Sequence, residues 1–538
     1  MDPRPQAPTA PPQPPAPATF RTAAVIDVGS TAIRMEIAEL SAEGGIRTVE
    51  SLQQPVHLGK DTFTMGRIQQ STIEQCVRIL KGYGRVMAEY GVTEPSQIRA
   101  VATSSVREAA NKEMFLDRIY MATRINVEAI DEAEETRLTY MAVQELLEQE
   151  PSLKRGDVLV IEVGGGDTEL LLIQDGFVTF SNTFRLGTLR MRESLGTSNA
   201  SPQRALATLL KQIQLSVDQI RRSVPLSRTP HLVALSGDAR FAAAQLFPEW
   251  KTARIARIEP KNFISFARKL AGQTPDDLVK AFRLNYPEAE ALGPALLAFA
   301  QLARVFDVDE ILVPKTSLRH GLLKEAITGG AWTSEFMDQV EHSAIALGTK
   351  YAFDERHARQ VTGLAVRFYR ELQVEHMLPP RFELILRIAG ILHEIGLFVN
   401  NRSHHKHSMY LIMNSDLFGL SREDMLLIAM VARYHRRATP QPYHEGFASL
   451  DRDARLAVSK LAAILRVADA LDRNHMQQVR DVRCSREENA FIVWVRDVED
   501  LTLERLALKE KGSLFEEVYG LTVVFRTEIS SEGVLADV

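Results

Sequence analysis

The sequence has few cysteines and no long apolar run. Its two cysteines, Cys76 and Cys484, stand far apart among 538 residues and lack the spacing of a metal-binding motif. This usage predicts a reduced, cytoplasmic setting rather than a disulfide framework. The longest apolar stretch, around residues 291–303, is interrupted by Pro294 and is too short to cross a bilayer. No membrane span is therefore expected.

The chain also lacks an excess of positive charge. Its net charge is -5 at pH 7, with 45% apolar and 25% charged residues. This balance argues against nucleic acid as a partner, so any affinity for a phosphate polymer must come from a local basic patch or from metal ions. The length indicates several domains rather than one core.

Changes in residue pattern divide the chain into five predicted parts. Eight prolines among the first twenty residues predict a disordered tail over residues 1–20. Alternating strand and helix patterns predict two α/β lobes, over 21–150 and 151–330. Continuous helical periodicity, rich in His and Arg, predicts an all-α domain over 331–480. Two strands flanking one helix predict a small α+β domain over 481–538.

The two lobes repeat one scheme. "AAVIDVGSTAIRMEIAEL" and "DVLVIEVGGGDTELLLI" each read as strand, glycine turn and strand, with an acid shortly before the glycine. Either turn alone is common, but the repetition predicts a duplicated two-lobed α/β fold with a cleft between the lobes. Ser71 and Glu74 further predict a capping box where the first long helix begins.

Three glycine turns are candidates for phosphate binding. Backbone N–H groups in such turns bind anions without side-chain charge, and loops from both lobes are expected to converge on one phosphoryl group. The turns comprise Gly29, Ser30 and Thr31; Gly164, Gly165 and Gly166 with Thr168; and Ser236 with Gly237.

Acidic residues near these turns suit two tasks. Asp27, Glu162 and Glu169 lie at or just past strand ends, where they suit a divalent cation. Glu135 precedes a predicted helix and is the candidate that activates water, while Arg107 is predicted at a helix beginning, where it can take two phosphate oxygens. Taken singly, Arg107 is better explained by a surface ion pair and Glu135 by the helix dipole. Their order and spacing favour the site.

The motif series resembles the exopolyphosphatase / guanosine pentaphosphate phosphohydrolase (Ppx/GppA) family. The similar stretches are "IDVGSTAIRMEIAEL", "IRAVATSSVREAAN", "EAIDEAEETRLTYMAV", "VIEVGGGDTELLL" and "SLRHGLL", in that order. The resemblance implies an actin/sugar kinase/Hsp70-like (ribonuclease H-like) fold. It also implies release of terminal phosphate from inorganic polyphosphate, or from pppGpp, with Mg as the expected cation. By position it implies Glu135 as the base, Arg107 on phosphate, and Asp27, Glu162 and Glu169 around the metal.

The chain departs from the family pattern at acidic positions. Glu162 stands where the family has Asp, Asp167 where it has Ser, and Asp238 follows Ser236-Gly237 where it has Gly-Gly-Thr. Unpaired carboxylates beside an anion site either require a second cation or weaken phosphate binding. A catalytically weak phosphate or nucleotide sensor is therefore an alternative to the enzyme.

The helical domain resembles an HD-type hydrolase domain. His357, His393, His435 and Asp469 stand where metal ligands would, but the adjacent pair reads His393-Glu394 instead of His-Asp. The sequence favours a scaffold with core histidines over a metal site. The family resemblance also implies a possible homodimer through this domain.

Basic residues of the helical domain are the candidate binding track for a long polyphosphate chain. The track includes Lys406, His407 and Arg436, with Arg402, His404, His405, Arg433, His435 and Arg437 nearby in sequence. If the helices pack together, the track should depend on salt and, through histidine, on pH. A solvated loop with unrelated arginines is the alternative. The overall prediction is an exopolyphosphatase-type phosphohydrolase, with a pppGpp 5'-phosphohydrolase as the alternative.

Overall fold

The computed structural model describes residues 20–41, 45–154, 156–193, 202–226, 228–328, 332–436, 438–479, 482–496, 498 and 500–528. By packing, the chain divides into two compact units, one of Met1–Ala129 with Leu318–Gly330, the other of Ile130–Ser317 with Ala331–Val538. Nearly all of the predicted tail over 1–20 lies outside the described residues. Among the described residues, none of the helices combines the length and the hydrophobicity that a membrane span requires.

The described residues form strands and helices along the whole chain. The strands are β1 (Phe20–Val28), β2 (Ala32–Ser41), β3 (Ile46–Pro55), β4 (Ile98–Ala102), β5 (Val127–Ala129), β6 (Asp157–Val163), β7 (Thr168–Gln174), β8 (Phe177–Phe184), β9 (His231–Leu235), β10 (Ile255–Ile258), β11 (Ile311–Pro314), β12 (Val482–Glu487), β13 (Ala490–Arg496) and β14 (Thr522–Glu528). The helices of the α/β part are α1 (Leu58–Met65), α2 (Gln70–Glu89), α3 (Ser104–Arg107), α4 (Lys112–Thr123), α5 (Glu132–Gln149), α6 (Pro151–Lys154), α7 (Thr188–Glu193), α8 (Pro202–Ser223), α9 (Gly237–Leu246), α10 (Pro260–Ala271), α11 (Pro275–Phe282), α12 (Tyr286–Val305) and α13 (Leu318–Thr328). Those that follow are α14 (Ser334–Lys350), α15 (Glu355–Glu371), α16 (Gln373–His376), α17 (Arg381–Leu392), α18 (His404–Met413), α19 (Arg422–Arg433), α20 (Arg452–Ala470), α21 (Thr502–Lys511) and α22 (Ser513–Tyr519). Short 3-10 turns occupy Pro95–Gln97, Pro248–Lys251 and Ile395–Phe398.

The predicted duplication is present in the two large sheets. The first has the order β3-β2-β1-β4-β5 and the second β8-β7-β6-β9-β11-β10. In each, a three-stranded antiparallel meander continues through parallel pairs, β1 with β4 and β6 with β9. The added edge strand β10 runs antiparallel to β11. Both units therefore place the carboxyl ends of two parallel neighbouring strands at one sheet edge.

The second sheet is buried on both faces by apolar residues that alternate along its strands. Leu159 and Ile161 belong to a core that includes residues of α8, α9, α10 and α12. Val158 and Val160 belong to another core, which includes residues of α5, α14 and the helical domain. Gln339 of α14 extends this contact, because its side chain accepts from the Val178 N–H and donates to the Gly176 carbonyl, each at 2.9 Å. The helical domain is thus one packed body with the second sheet.

Packing rather than chain order decides two boundaries. The sequence predicts a lobe over 21–150, whereas α5 belongs to the second unit and α13 returns to the first. Within the first unit, Arg99 of β4 forms a salt bridge with Glu325 of α13.

Several local predictions were wrong. Helix α2 begins at Gln70 with Gln69 as its N-cap, so Ser71 lies inside the helix and caps nothing; Glu74 instead accepts from the Gln70 side chain at 2.9 Å. The C-terminal part has a further strand, β12, paired with β13, and two helices, α21 and α22, instead of one. Gly512 separates these two helices, and single-residue breaks of this kind are hard to recognise from periodicity.

Candidate active site

The first unit places its candidate residues at one edge of its sheet. Asp27 lies opposite Val101 in the parallel β1–β4 pair, so the Gly29 turn and α3 both follow strands that end at this edge. The turn is tight, because the Gly29 N–H donates to the Ala32 carbonyl at 3.1 Å. Ser30 is buried, and its carbonyl accepts from the Gly59 N–H at 2.9 Å. Val56 in turn donates to the carbonyl of Thr31 at 2.9 Å.

Two guanidinium groups surround the Asp27 carboxylate. Arg34 Nη1 lies 3.8 Å and Arg319 Nη1 3.5 Å from Asp27 Oδ2, and Arg319 Nε also donates to Glu36 at 2.7 Å. The negative charge of Asp27 is therefore balanced by arginines within its own unit. Its role as a metal ligand stays a prediction.

Arg107 ends a helix rather than beginning one. It is the last residue of the four-residue α3, half-buried, while the buried Ser104 and Ser105 form the start of that helix. The prediction that Arg107 lies at a helix beginning was therefore wrong. Binding of phosphate oxygens by Arg107 stays a prediction.

The glycine loop of the second unit, which is Gly164 to Gly166 between β6 and β7, has its carbonyls turned toward α7. The Gly164 carbonyl accepts from the Thr188 N–H at 3.0 Å, and the Gly165 carbonyl from the Leu189 N–H at 2.9 Å. In a trans peptide the C=O and the following N–H point in opposite directions. The N–H groups of Gly165 and Gly166 therefore point away from α7, as an anion-binding loop requires.

This loop has a close neighbour. A Cβ atom on Gly187 would lie 2.1 Å from the carbonyl carbon of Gly166, so only glycine fits at position 187. Thr168, predicted to line phosphate, is fully buried, and its hydroxyl donates to the Leu186 carbonyl at 2.5 Å. Its hydroxyl proton thus holds β7 to the chain before α7 rather than pointing at a ligand.

Asp167 has a cationic partner that the sequence reading missed. Arg190 Nη2 of α7 lies 3.6 Å from Asp167 Oδ1, and Arg190 Nε donates to the Gly166 carbonyl at 2.9 Å. The Asp167 carboxylate, whose negative charge would repel a bound anion, therefore forms an ion pair within its own unit. The sequence feature that could have indicated this partner is the basic stretch "RLGTLRMR", which begins 18 residues after Asp167.

Glu162 and Glu169 face each other across two strands. They are directly opposed in the antiparallel β6–β7 register, and Glu169 is buried while Glu162 is half-buried. Opposed residues share a sheet face, with Cβ atoms about 4.5–5.5 Å apart, so two ionised carboxylates at these positions repel one another. A divalent cation between them would turn this repulsion into attraction, and carboxylate oxygens are donors that Mg prefers.

Helix α5 brings Glu135 toward the same acids. The helix begins after the N-cap Asp131, whose side chain accepts from the Glu134 N–H. Thr139 Oγ1 donates to Glu169 Oε2 at 3.4 Å, and Glu135 precedes Thr139 by one helical turn on the same face. The second unit thus places Glu162 and Glu169 at the carboxyl end of β6 and brings α5 into contact with Glu169, while the place of Glu135 beside these acids stays a prediction.

The third predicted turn begins α9. Glu162 pairs with Leu235 in the parallel β6–β9 register, so Ser236 and Gly237 follow at the same sheet edge as the glycine loop. Ser236 caps α9 by accepting from the Ala239 N–H at 2.9 Å, and Gly237 is exposed. Convergence of all three loops on one phosphoryl group stays a prediction.

The predicted basic track is only partly at the surface. His404 and His435 are buried, and Arg437 lies outside the described residues. Lys406 is exposed, whereas His407 and Arg436 are half-buried. Burial, together with the charges of Arg436, His404, Lys406 and Arg433, lowers the pKa of His405 to about 4. Cations of α18 and of the segment around Arg436 therefore surround one imidazole.

The would-be metal ligands of the helical domain also come together. His357, His393 and Asp469 are buried, and their ligand atoms lie within 4.8 Å of one another. Glu394, His404 and His435 form a second such group. Burial lowers the pKa of both His393 and His435, which favours neutral rings near pH 7. The likeness of this domain to an HD fold stays a prediction.

Comparison with known proteins covers most of the chain. A model described as the Ppx/GppA phosphatase family matches residues 37–328, and one described as Ppx/GppA phosphatase, domain III, matches residues 340–513. A guanosine-5'-triphosphate,3'-diphosphate pyrophosphatase of Aeromonas hydrophila is 25% identical over 452 residues, which is 83% of this chain and 86% of the relative. The enzyme of the same name from Aliivibrio fischeri (strain MJ11) is 24% identical over 455 residues, with 82% and 86% covered.

A solved structure supports the fold. The crystal structure of an exopolyphosphatase from Cytophaga hutchinsonii ATCC 33406 aligns with a TM-score of 0.51 at 20% identity, covering 57% of this chain and 98% of that one. The α/β part therefore has the predicted actin-like fold.

Proposed function

Because this chain belongs to the Ppx/GppA phosphatase family, we propose that it is an exopolyphosphatase-type phosphohydrolase. In the proposed reaction, the oxygen of water forms a bond to the terminal phosphorus of inorganic polyphosphate, and the bond from that phosphorus to the bridging oxygen breaks. The products are orthophosphate and a chain shorter by one phosphate. The observation that carries the proposal is the in-register pair Glu162 and Glu169 beside the glycine loop, with Glu135 one helical turn from the residue that contacts Glu169.

Each side chain has one proposed role. Glu135 accepts the proton of the attacking water, and the amides of Gly165 and Gly166 donate to phosphate oxygens. Glu162 and Glu169 would hold Mg, with Asp27 as a further predicted ligand; when bound, the ion neutralises charge on phosphate oxygens. Arg107 is proposed to bind two of those oxygens.

The pairing of Asp167 with Arg190 supports the enzyme over a weak sensor. The doubt about the cleft rested on unpaired charge at Asp167, and Arg190 supplies the opposite charge at 3.6 Å. Asp238 lies in the first turn of α9, where the helix dipole stabilises an acid. Neither acid therefore requires a second cation.

The cations around His405 favour a long polyanion. Exposed Lys406 and half-buried Arg436 lie on the helical domain and would attract successive phosphates. The second candidate function is hydrolysis of pppGpp. It is favoured by the names of the curated relatives, which align over more than four-fifths of both chains.

The base is tested by Glu135→Gln. Phosphate release from long-chain polyphosphate and from pppGpp is measured with and without Mg, and kcat is expected to fall about 10²- to 10⁴-fold, as for loss of a general base. Glu132→Gln, an exposed acid on the same first helical turn, is the matched control and should retain activity. No metal-dependent turnover by the wild type on either substrate would end the enzyme proposal.

The choice of substrate is tested by a Lys406→Gln/Arg436→Gln double variant. Affinity for long-chain polyphosphate is expected to fall, and its salt dependence to weaken, while pppGpp hydrolysis stays unchanged. Arg381→Gln, an exposed arginine of α17, is the control for loss of positive charge. Equal loss on both substrates, or turnover of pppGpp alone by the wild type, would favour the nucleotide instead.

A further inference from the structure

The helical domain contains a buried group of metal-type donors that takes no part in the proposed reaction. His357, His393 and Asp469 are 1%, 0% and 3% exposed. His357 Nε2 lies 3.7 Å from Asp469 Oδ1 and 3.7 Å from Glu394 Oε2. Ligands of one tetrahedral ion with bonds of about 2.1 Å stand about 3.4 Å apart. These spacings need little adjustment to hold an ion.

The outer hydrogen bonds orient the imidazoles inward. His393 Nδ1 is 2.7 Å from the Gly390 carbonyl, which can only accept, so the ring proton sits on Nδ1. His357 Nδ1 is 2.8 Å from Asp472 Oδ2, a carboxylate–histidine pair of the kind found behind metal ligands. In a neutral ring this arrangement leaves the lone pair on Nε2 of both histidines, aimed at the group of donors.

These Nε2 atoms have no hydrogen-bond partner. His357 Nε2, His393 Nε2 and Glu394 Oε2 are buried polar atoms without a hydrogen bond within the described part of the chain. Buried polar atoms ordinarily have a hydrogen-bond partner, so several buried lone pairs that face one another without one indicate a site for a cation. Two further imidazoles, His404 and His435, meet at 3.1 Å between their Nε2 atoms, although each Nδ1 lies within hydrogen-bonding distance of a backbone carbonyl.

Lys511 takes only one oxygen of Asp469. Its Nζ donates to Asp469 Oδ2, while Oδ1 is the oxygen that lies nearest His357 Nε2. The ammonium thus pairs with Oδ2 of the carboxylate, and Oδ1 is the oxygen that could bind an ion.

We propose that the helical domain binds a transition-metal ion through Nε2 of His357, Nε2 of His393 and Oδ1 of Asp469. Imidazole with carboxylate favours Mn²⁺, Fe²⁺, Co²⁺ or Zn²⁺ over Mg²⁺. Three protein donors leave a coordination position open to water or a phosphate oxygen. Glu394, His404 and His435 offer a second ligand group next to it.

Cobalt binding by the full-length chain tests the proposal. The chain is treated with a chelator, dialysed, and mixed with Co²⁺ in excess Mg²⁺; bound cobalt is measured by elemental analysis after gel filtration, together with the visible d–d spectrum. At least one Co²⁺ per chain and a spectrum of nitrogen and oxygen ligation are expected. His393→Gln and Asp469→Asn should lose both. Asp472→Asn should weaken Co²⁺ binding about 10- to 100-fold, as for loss of an outer partner.

Two controls separate this site from other sites. His376→Gln removes another buried histidine of the domain, whose Nε2 is bonded to the Tyr369 carbonyl, and should retain cobalt. Glu162→Gln/Glu169→Gln removes the proposed Mg ligands and should also retain cobalt. Since phosphate release is not measured, failure of the proposed function leaves this test intact.

Two results would overturn the proposal. One is a wild-type chain that retains no cobalt, which does not depend on the folding of any variant. The other is unchanged cobalt binding by His393→Gln and Asp469→Asn chains whose circular dichroism matches that of the wild type.

Discussion

At the scale of single residues, the decisive feature is how charges are paired. Asp167 looks out of place in an anion-binding loop when only its neighbours in sequence are considered. In the fold, Arg190 lies 3.6 Å from its carboxylate and also binds the Gly166 carbonyl. One arginine thus offsets the charge and fixes the loop.

This pairing predicts the behaviour of Arg190→Gln. Loss of the cation exposes phosphate to the Asp167 charge, so KM should rise about 5- to 10-fold, within the coupling of about 0.5–3 kcal/mol typical of contacting charges. Adding Asp167→Ser should restore most of the affinity, because the repelling carboxylate is then gone. Steady-state kinetics of the single and double variants provides the check. Equal KM values for Arg190→Gln with and without Asp167→Ser would argue against the pairing.

At the scale of elements, the glycine loop depends on the helix that follows β8. Thr188 and Leu189 at the start of α7 donate to the loop carbonyls, and Gly187 touches the Gly166 peptide. The amides of Gly165 and Gly166, which are proposed to bind phosphate, are therefore oriented by an element about twenty residues further along the chain.

Gly187→Ala is predicted to damage this arrangement. The added methyl would overlap the Gly166 carbonyl carbon, so the loop must shift, and the free energy of unfolding should drop by about 1–3 kcal/mol together with weaker substrate binding. Gly84→Ala is the control: its Cβ meets nothing within 4 Å inside α2, and alanine there should stabilise by up to about 1 kcal/mol. Urea unfolding measures both. Similar effects of the two substitutions would refute the role given to Gly187.

At the scale of the whole molecule, buried histidines link stability to pH. Burial lowers the pKa of His376, His393, His404 and His435 in the folded domain below the ordinary 6.5. The unfolded chain therefore takes up protons first as pH falls. Their contribution to stability is present above about pH 6.5 and is lost below it.

His376→Gln provides a test of this linkage outside the proposed metal ligands. His376 Nδ1 accepts from the Leu378 N–H at 2.9 Å, so a proton on that nitrogen would break this partly buried hydrogen bond. The wild type should lose unfolding free energy between pH 7 and pH 5, and the variant should lose less over the same interval. Urea titrations after chelation at the two pH values give the comparison. A variant with the same acid loss as the wild type would exclude His376 as a contributor.

The sequence by itself determined the duplicated strand-turn-strand scheme, the helical region after residue 334 and the family, because these follow from local periodicity and from motif order. It also indicated Glu135, Glu162 and Glu169, although their roles stay predictions. Only the tertiary structure decided which residues meet across long stretches of chain. Arg190 meets Asp167, Arg319 meets Asp27, and Lys511 meets Asp469. Such pairs are set by packing of distant elements, for which a single sequence has no local signal. The same packing brings together the ligand atoms of histidines that the sequence predicted as scaffold core residues.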